Sequence, residues 1–260
     1  IERIWTGNDY RNFHYLVACP ETGEALAIDP LDWRKCLDAA RARGFKITQI
    51  LNTHEHRDHT GGNETFGNAG SLIVAHDNVR RRMSSEQFIA TFNSRTPPSP
   101  ATALPVVTFS DTVSLYLNGD TLQAFHVARA HTDGDAIIRF RRADVFHMGD
   151  TFMNGFYPFI DVGSNGTLDG VIRAADLVLA SSDDATRIIP GHGPLARKAD
   201  LQAYRDVVKA ARDRIAKLKG EGKTRDEAIA AKPTADLDAT WGKGFMKGDS
   251  FVGLAYDSLK

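Results

Sequence analysis

Thr53-His54-Glu55-His56-Arg57-Asp58-His59 puts three imidazoles and two carboxylates into seven residues. The run just before it, Ile47 to Leu51, reads as a buried strand, so the cluster falls where a strand gives way to a turn and side chains can converge on one point. Neutral imidazoles and carboxylates are the donor set for zinc, iron or manganese. A polar loop would not need so many like groups at a strand end, where they have no packing role. The stretch reads as a metal site.

Three later residues share this context. His131 lies in Ala130-His131-Thr132-Asp133-Gly134-Asp135, Asp150 in Gly149-Asp150-Thr151, and His192 between Gly191 and Gly193. Each falls at the end of an expected strand beside glycine. Any one of them alone is the ordinary furniture of a turn; in this order, each at a strand terminus, they extend the metal set.

Outward from these motifs the chain alternates strands and helices. Phe13 to Ala18 and Ala25 to Ile28 read as strands around the turn Pro20-Glu21-Thr22-Gly23, and Asp29-Pro30 stops the second. A helix is expected from Asp32 to Arg43, ended by Gly44, so that strand, helix and the strand Ile47 to Leu51 form one layered unit. A short helix at Asn63 to Phe66, a strand at Ser71 to Ala75 and a helix from His76 to Phe92 follow. Ser94 to Pro105 holds four prolines in twelve residues, which suits a lid or a pocket rim. From Val106 the period changes to two: Val106 to Phe109, Val113 to Leu117, Thr121 to Val127, Ala136 to Phe140 and Val145 to Met148 read as strands, with Asn118-Gly119-Asp120 as one tight turn. Helices are expected at Leu168 to Ala180, Asp200 to Lys219, Arg225 to Ala231 and Phe251 to Leu259, and a short strand at Arg187 to Ile189. The chain reads as one domain over 1–260, with a C-terminal helical region, 199–260, packed on it.

Composition narrows the partners. A net charge of −1 gives no electrostatic reason to expect nucleic acid or an anionic membrane. No apolar run approaches the ~20 residues of a membrane span. A small-molecule substrate is the remaining expectation, with oligomeric state open. Two cysteines, Cys19 and Cys36, are too few for a disulfide framework and read as free buried thiols, although a single bridge between them is the alternative. The first residue is Ile1, which reads as removal of a preceding segment and leaves the compartment, periplasmic, secreted or cytoplasmic, undecided.

The pattern His-x-His-x-Asp-His, with His131, Asp150 and His192 behind it, resembles the metallo-β-lactamase superfamily, and the resemblance covers nearly the whole chain. It implies an α/β fold, the four-layer αββα sandwich. It also implies two divalent metal ions, Zn²⁺ first with iron or manganese as alternatives: His54, His56 and His131 on one, Asp58, His59 and His192 on the other, Asp150 bridging. In such a centre a metal-bridging hydroxide attacks an activated carbonyl. Asp58 would orient the nucleophile and pass its proton to the leaving group.

An Asp at position 150 looks like glyoxalase II, lactonases and related hydrolases, as does the opening segment Phe13 to Pro30. A thioester, lactone or ester is therefore the expected substrate. β-Lactam hydrolysis is the alternative, and sulfur dioxygenation at a single iron a further one. Tyr157, in Asn154-Gly155-Phe156-Tyr157-Pro158-Phe159, is a candidate catalytic residue for a developing oxyanion, with Phe156 and Phe159 as pocket lining; packing is the competing reading for all three. The basic residues of a glutathione site are not identifiable. Arg80-Arg81-Arg82 either selects an anionic substrate or is a solvated face. Asp29, Thr53, Thr132 and Asp135 either hold the far ring nitrogens of the ligands or cap turns. Glu55 and Arg57 are expected to face away from the metal, and His14, His76, His126 and His147 to be structural or surface residues.

Overall fold

The computed structural model describes residues 1–8, 12–117 and 119–259. Asn118, and with it the expected turn at Asn118-Gly119-Asp120, lies outside the described residues. The chain divides into two compact units, Ile1–His126 with Ala136–Ala143, and Val127–Asp135 with Asp144–Lys260.

In the first unit, β1 (Glu2–Trp5), β2 (Phe13–Ala18) and β3 (Glu24–Ile28) run antiparallel, after which α1 (Trp33–Arg41) crosses over to β4 (Lys46–Leu51). The helix starts where the Asp32 carboxylate accepts the Lys35 N–H and stops before Gly44, whose φ of +71° a side chain would oppose. Two short helices, α2 (Arg57–Thr60) and α3 (Asn63–Asn68), precede β5 (Leu72–His76). After α4 (Asp77–Met83), the hairpin β6 (Gln87–Ile89) and β7 (Ser94–Thr96), and β8 (Val107–Phe109), the six-stranded sheet has the order β1-β2-β3-β4-β5-β8. Cys36 and Ala40 of α1 and Phe66 of α3 pack with Ile47, Ile50 and Ile73 of the sheet. Strands β9 (Thr112–Leu117), β10 (Asp120–His126) and β11 (Ala136–Phe140) pair antiparallel in sequence order.

Strands β3, β4 and β5 are mutually parallel, so their carboxyl ends open on one edge. That is where side chains of an α/β sheet converge on ligands. Ile28 pairs with Leu51, so the residues that follow, Asp29 and Asn52-Thr53, emerge side by side.

The second unit repeats this device with two strands. β12 (Val145–His147) and β13 (Arg187–Ile189) are parallel, His147 opposite Ile189, so Asp150 and His192 leave neighbouring strand ends. Around them lie α5 (Leu168–Ala180), α6 (Lys198–Gly220), α7 (Arg225–Ala230), α8 (Ala235–Trp241) and α9 (Gly248–Ser258).

Three expectations need correction. The helix expected to reach Phe92 ends at Met83, because beyond it no apolar stripe continues: Phe88 and Phe92 are 43% and 50% exposed, and Asn93, at φ +46°, turns the chain back into a hairpin. The second half of the Pro-rich segment is packing rather than lid. Its 3-10 turn, Ala101–Ala103, lies against α3, where the Thr102 carbonyl leaves no room for a side chain at Gly67, and Leu104 is buried. Strand β8 joins the first sheet beside β5 instead of opening the antiparallel run. Cys19 and Cys36 are free thiols, Cys36 buried and Cys19 half-buried.

Candidate metal centre

The first unit presents its four candidates from the β4–α3 connection. His54 and His59 are buried, His56 and Asp58 half-buried. The His54 ring lies 4.9 Å from that of His56 and 4.2 Å from that of His59. Asp29 fixes this loop. Its Oδ1 accepts the Thr53 backbone N–H at 2.8 Å, and its Oδ2 lies 2.6 Å from the Thr53 hydroxyl and 3.0 Å from His59 Nδ1. Since a carboxylate only accepts, His59 Nδ1 carries its proton and Nε2 holds the free lone pair. Thr53 Oγ1 donates to Asp29, so at 3.1 Å it can only accept from His54 Nδ1, which leaves His54 Nε2 as donor atom too. The loop is braced further by Asn52 and Asn63, whose amides bond each other reciprocally at 2.8 and 3.3 Å, and by Asn12, which donates to the Asp58 carbonyl at 3.0 Å.

The second unit brings its three candidates together around one oxygen. Asp150 Oδ2 lies 3.1 Å from His192 Nε2 and 3.7 Å from His131 Nε2. His131 Nδ1 is 2.8 Å from the Phe159 carbonyl, which only accepts, so again the proton sits on Nδ1 and the lone pair on Nε2. Gly191 permits the approach: a Cβ there would lie 1.9 Å from Asp150 Oδ1. Tyr204, fully buried, donates to the Thr151 carbonyl and packs its ring at a tilt against Phe152, backing the turn that carries Asp150.

The donor chemistry fits a metal. His59 Nε2 faces Asp58 Oδ2 at 3.4 Å and His131 Nε2 faces Asp150 Oδ2 at 3.7 Å. With both Nδ1 atoms protonated, each pair sets one acceptor against another. Such pairs repel unless a cation lies against both.

Other expectations resolve differently. Thr132 and Asp135 bond each other: the Thr132 N–H and hydroxyl both donate to the Asp135 carboxylate, which caps their own turn. Glu55, expected to face away from the metal, is buried. Its side chain is 2% exposed and pairs with Arg82 Nε at 3.3 Å, so one residue of the arginine run is an internal partner of the metal loop. Arg57 is exposed, as expected. His14 is buried, its Nε2 accepting the Asp32 N–H at 2.9 Å. His76 stacks on His126, ring centroids 3.7 Å apart.

Tyr157 must be withdrawn as a catalytic residue. Its ring is fully buried and stacked on Phe251 at 4.3 Å, and its hydroxyl donates to Asp238 Oδ1 at 2.8 Å. Burial and the Asp238 carboxylate both push the phenol pKa up, so the hydroxyl is committed to that bond. Phe156 and Phe159 are buried as well. The aromatic that stands open beside a candidate ligand is Phe245, 42% exposed, its ring centroid 6.2 Å from that of His192. Sequence reasoning missed it, because it follows an unforeseen helix, α8; Trp241-Gly242-Lys243-Gly244-Phe245, with two glycines between two aromatics, was the signal available.

Residues 16–192 match the family model of the metallo-β-lactamase superfamily. A hydroxyacylglutathione hydrolase of Polaromonas sp. is 37% identical over 224 residues, covering 82% of this chain and 77% of that protein. Among solved structures, the BLEG-1 B3 metallo-β-lactamase superposes with a TM-score of 0.68 at 18% identity, over 80% of this chain and 98% of that one. TTHA1623 in a di-iron-bound form gives 0.60 at 22% identity, over 78% and 97%. At such identities the structural likenesses speak for the fold, and the family match and the curated relative speak for the chemistry. The chain has the metallo-β-lactamase fold and belongs to the metallo-β-lactamase superfamily, among its metal-dependent, hydroxyacylglutathione-hydrolase-like hydrolases.

Proposed function

We propose that the chain works as one domain over 1–260 and hydrolyses a thioester, with an S-acyl glutathione the foremost candidate, at a centre of two divalent ions. His54, His56 and His131 would hold one ion, Asp58, His59 and His192 the other, and Asp150 both. The observation that supports this reading is the position of Asp150 Oδ2 beside the Nε2 atoms of both His131 and His192. The substrate class rests on the Polaromonas relative. Zinc is the first metal to test and iron the second; the di-iron form of a fold neighbour gives iron its standing.

When bound, the ions supply a water acidified towards neutral pH and a Lewis acid for the carbonyl oxygen. The chain's own residues do the rest. Asp29 and Thr53 keep His59 and His54 in the tautomer that offers Nε2. Asp58, with 25% of its side chain exposed where Asp150 has 5%, is the carboxylate open enough to exchange a proton, taking it from the nucleophile and returning it to the leaving sulfur. Phe245 offers an apolar wall to the acyl part of the substrate.

The test is a panel of an S-acyl glutathione, a lactone and a chromogenic cephalosporin, compared by kcat/KM on wild type, chelator-treated and metal-restored protein, and Asp150→Ala. The reading requires the thioester to lead by orders of magnitude, and activity to vanish with the metal or with Asp150. A cephalosporin in the lead would replace it with β-lactam hydrolysis. Oxygen consumption on iron-loaded protein, without thioester turnover, would replace it with sulfur dioxygenation.

A further inference from the structure

One cavity among the described residues is not lined by any of the metal candidates. It lies within the second unit, has a volume of about 600 Å³, and is walled by Arg129, Arg173, Arg212 and Lys219, with Asp169 the one acid among its lining residues. The charges come from three places in the chain: the loop before His131, helix α5, and the last turns of α6. Helical periodicity on one solvated face therefore does not explain the gathering.

Among the described residues, most of the groups that hold these cations are neutral. Arg129 Nε donates to the Asn165 carbonyl, Arg173 Nη2 to the Ala128 carbonyl, and Lys219 Nζ to the carbonyls of Tyr256 and Leu259. These acceptors are neutral. Among the described residues Arg212 alone of the four meets carboxylates, Asp169 at 3.3 Å and Asp213 at 3.2 Å, the latter outside the lining. A concave wall of like charge focuses its field on the space in front of it. A guanidinium anchored through one nitrogen keeps other N–H groups for a second partner, and the planar fork matches phosphate and carboxylate oxygens. The lining has no aromatic ring on which a base could stack, and only Ala216 and Leu259 are apolar.

We propose that this cavity is a second ligand site, separate from the metal residues, for a compact non-aromatic polyanion of the phosphorylated or polycarboxylic-acid class. Asp169 sets the ceiling on its affinity, because its carboxylate faces the same space.

Isothermal titration calorimetry of the full chain tests this, with inorganic pyrophosphate as one probe and tricarballylate as the other, at low and at high NaCl. Binding of either is expected to saturate at one per chain and to weaken with salt, and the tighter probe names the source. Removing one charge-assisted contact costs about tenfold in affinity or more, which is the loss expected for Arg173→Ala and for Arg212→Ala. Asp169→Asn should tighten binding, a gain that misfolding could not produce. Asp150→Ala, which removes a metal residue, should leave it unchanged. Binding that survives both arginine substitutions but disappears in Asp150→Ala would put the polyanion on the metal residues and overturn the proposal. So would the absence of saturable binding by either probe.

Discussion

Asp29 takes both the backbone N–H and the hydroxyl of Thr53, at 2.8 and 2.6 Å, while a third contact reaches His59 Nδ1. One carboxylate thereby sets the tautomer of two imidazoles, His59 directly and His54 through Thr53. Its own backbone is held in the left-handed region, φ +48°, immediately before Pro30. Asp29→Asn keeps the shape but replaces one acceptor oxygen by an N–H, which faces either Thr53 or His59 with the wrong polarity. Outer partners of this kind are worth about 10–100-fold in metal affinity. That loss is expected when zinc is titrated against a competing chelator, with the fold intact by circular dichroism. An unchanged zinc affinity would show that Thr53 and the loop backbone orient the rings unaided.

Gly191 sits where a Cβ would fall 1.9 Å from Asp150 Oδ1 and 2.7 Å from the Gly149 carbonyl carbon. The second contact is backbone, so rotating the carboxylate away does not relieve it. Gly191→Ala is expected to displace Asp150 and to cut both metal content and kcat at least tenfold. Its stability cost, on the order of 1–3 kcal/mol, is that of overpacking a tight site. Metal analysis beside urea denaturation separates the two effects: normal metal content in a destabilised protein would contradict the assigned role of Gly191.

Much of this centre was legible beforehand, for a physical reason. His54, His131, Asp150 and His192 stand in the loops that follow strands, beside turn residues, and strand ends are marked locally by apolar runs and glycines. Asp29 and Thr53 were seen only as one reading of two, because the choice depends on β3 and β4 being adjacent and parallel, a non-local pairing. Thr132 and Asp135 looked equivalent to them and proved to cap a turn. The Arg82–Glu55 pair was hidden for the same reason as the early end of α4: both arise from contacts twenty or more residues away or from an absent stripe that short-range periodicity does not register. Tyr157 was misread because an aromatic near a ligand looks the same in sequence whether its hydroxyl meets substrate or, as here, Asp238, eighty-one residues on.

That last distinction is open to direct measurement. Tyr157→Phe removes a part-buried hydrogen bond to a carboxylate and should lower stability by about 1–3 kcal/mol while leaving kcat within a few-fold of wild type. Phe245→Ala should do the reverse. Its ring is 42% exposed, so stability should hold, and KM for the thioester should rise several-fold if the acyl part rests on it. A large fall in kcat for Tyr157→Phe at unchanged stability would restore that hydroxyl to the chemistry.

His14 makes the stability of the fold depend on pH. Burial, above all, drives its pKa down from 6.5 to about 4, and its Nε2 needs a lone pair to accept the Asp32 N–H that begins α1. The unfolded chain protonates this ring near pH 6.5 and the folded chain only near 4. Between those values the unfolded state binds more protons, so stability rises with pH across the window. The contribution is complete above 6.5 and is lost as pH falls towards 4, with an upper limit of about 3 kcal/mol. His14→Gln supplies an acceptor without a titration. Urea denaturation of both proteins, each in the same metal state, should therefore give a difference in stability that shrinks as pH falls from 6.5 to 4. A difference that stays constant over this range would mean that His14 takes up its proton at the same pH folded and unfolded, and that its burial does not govern its charge.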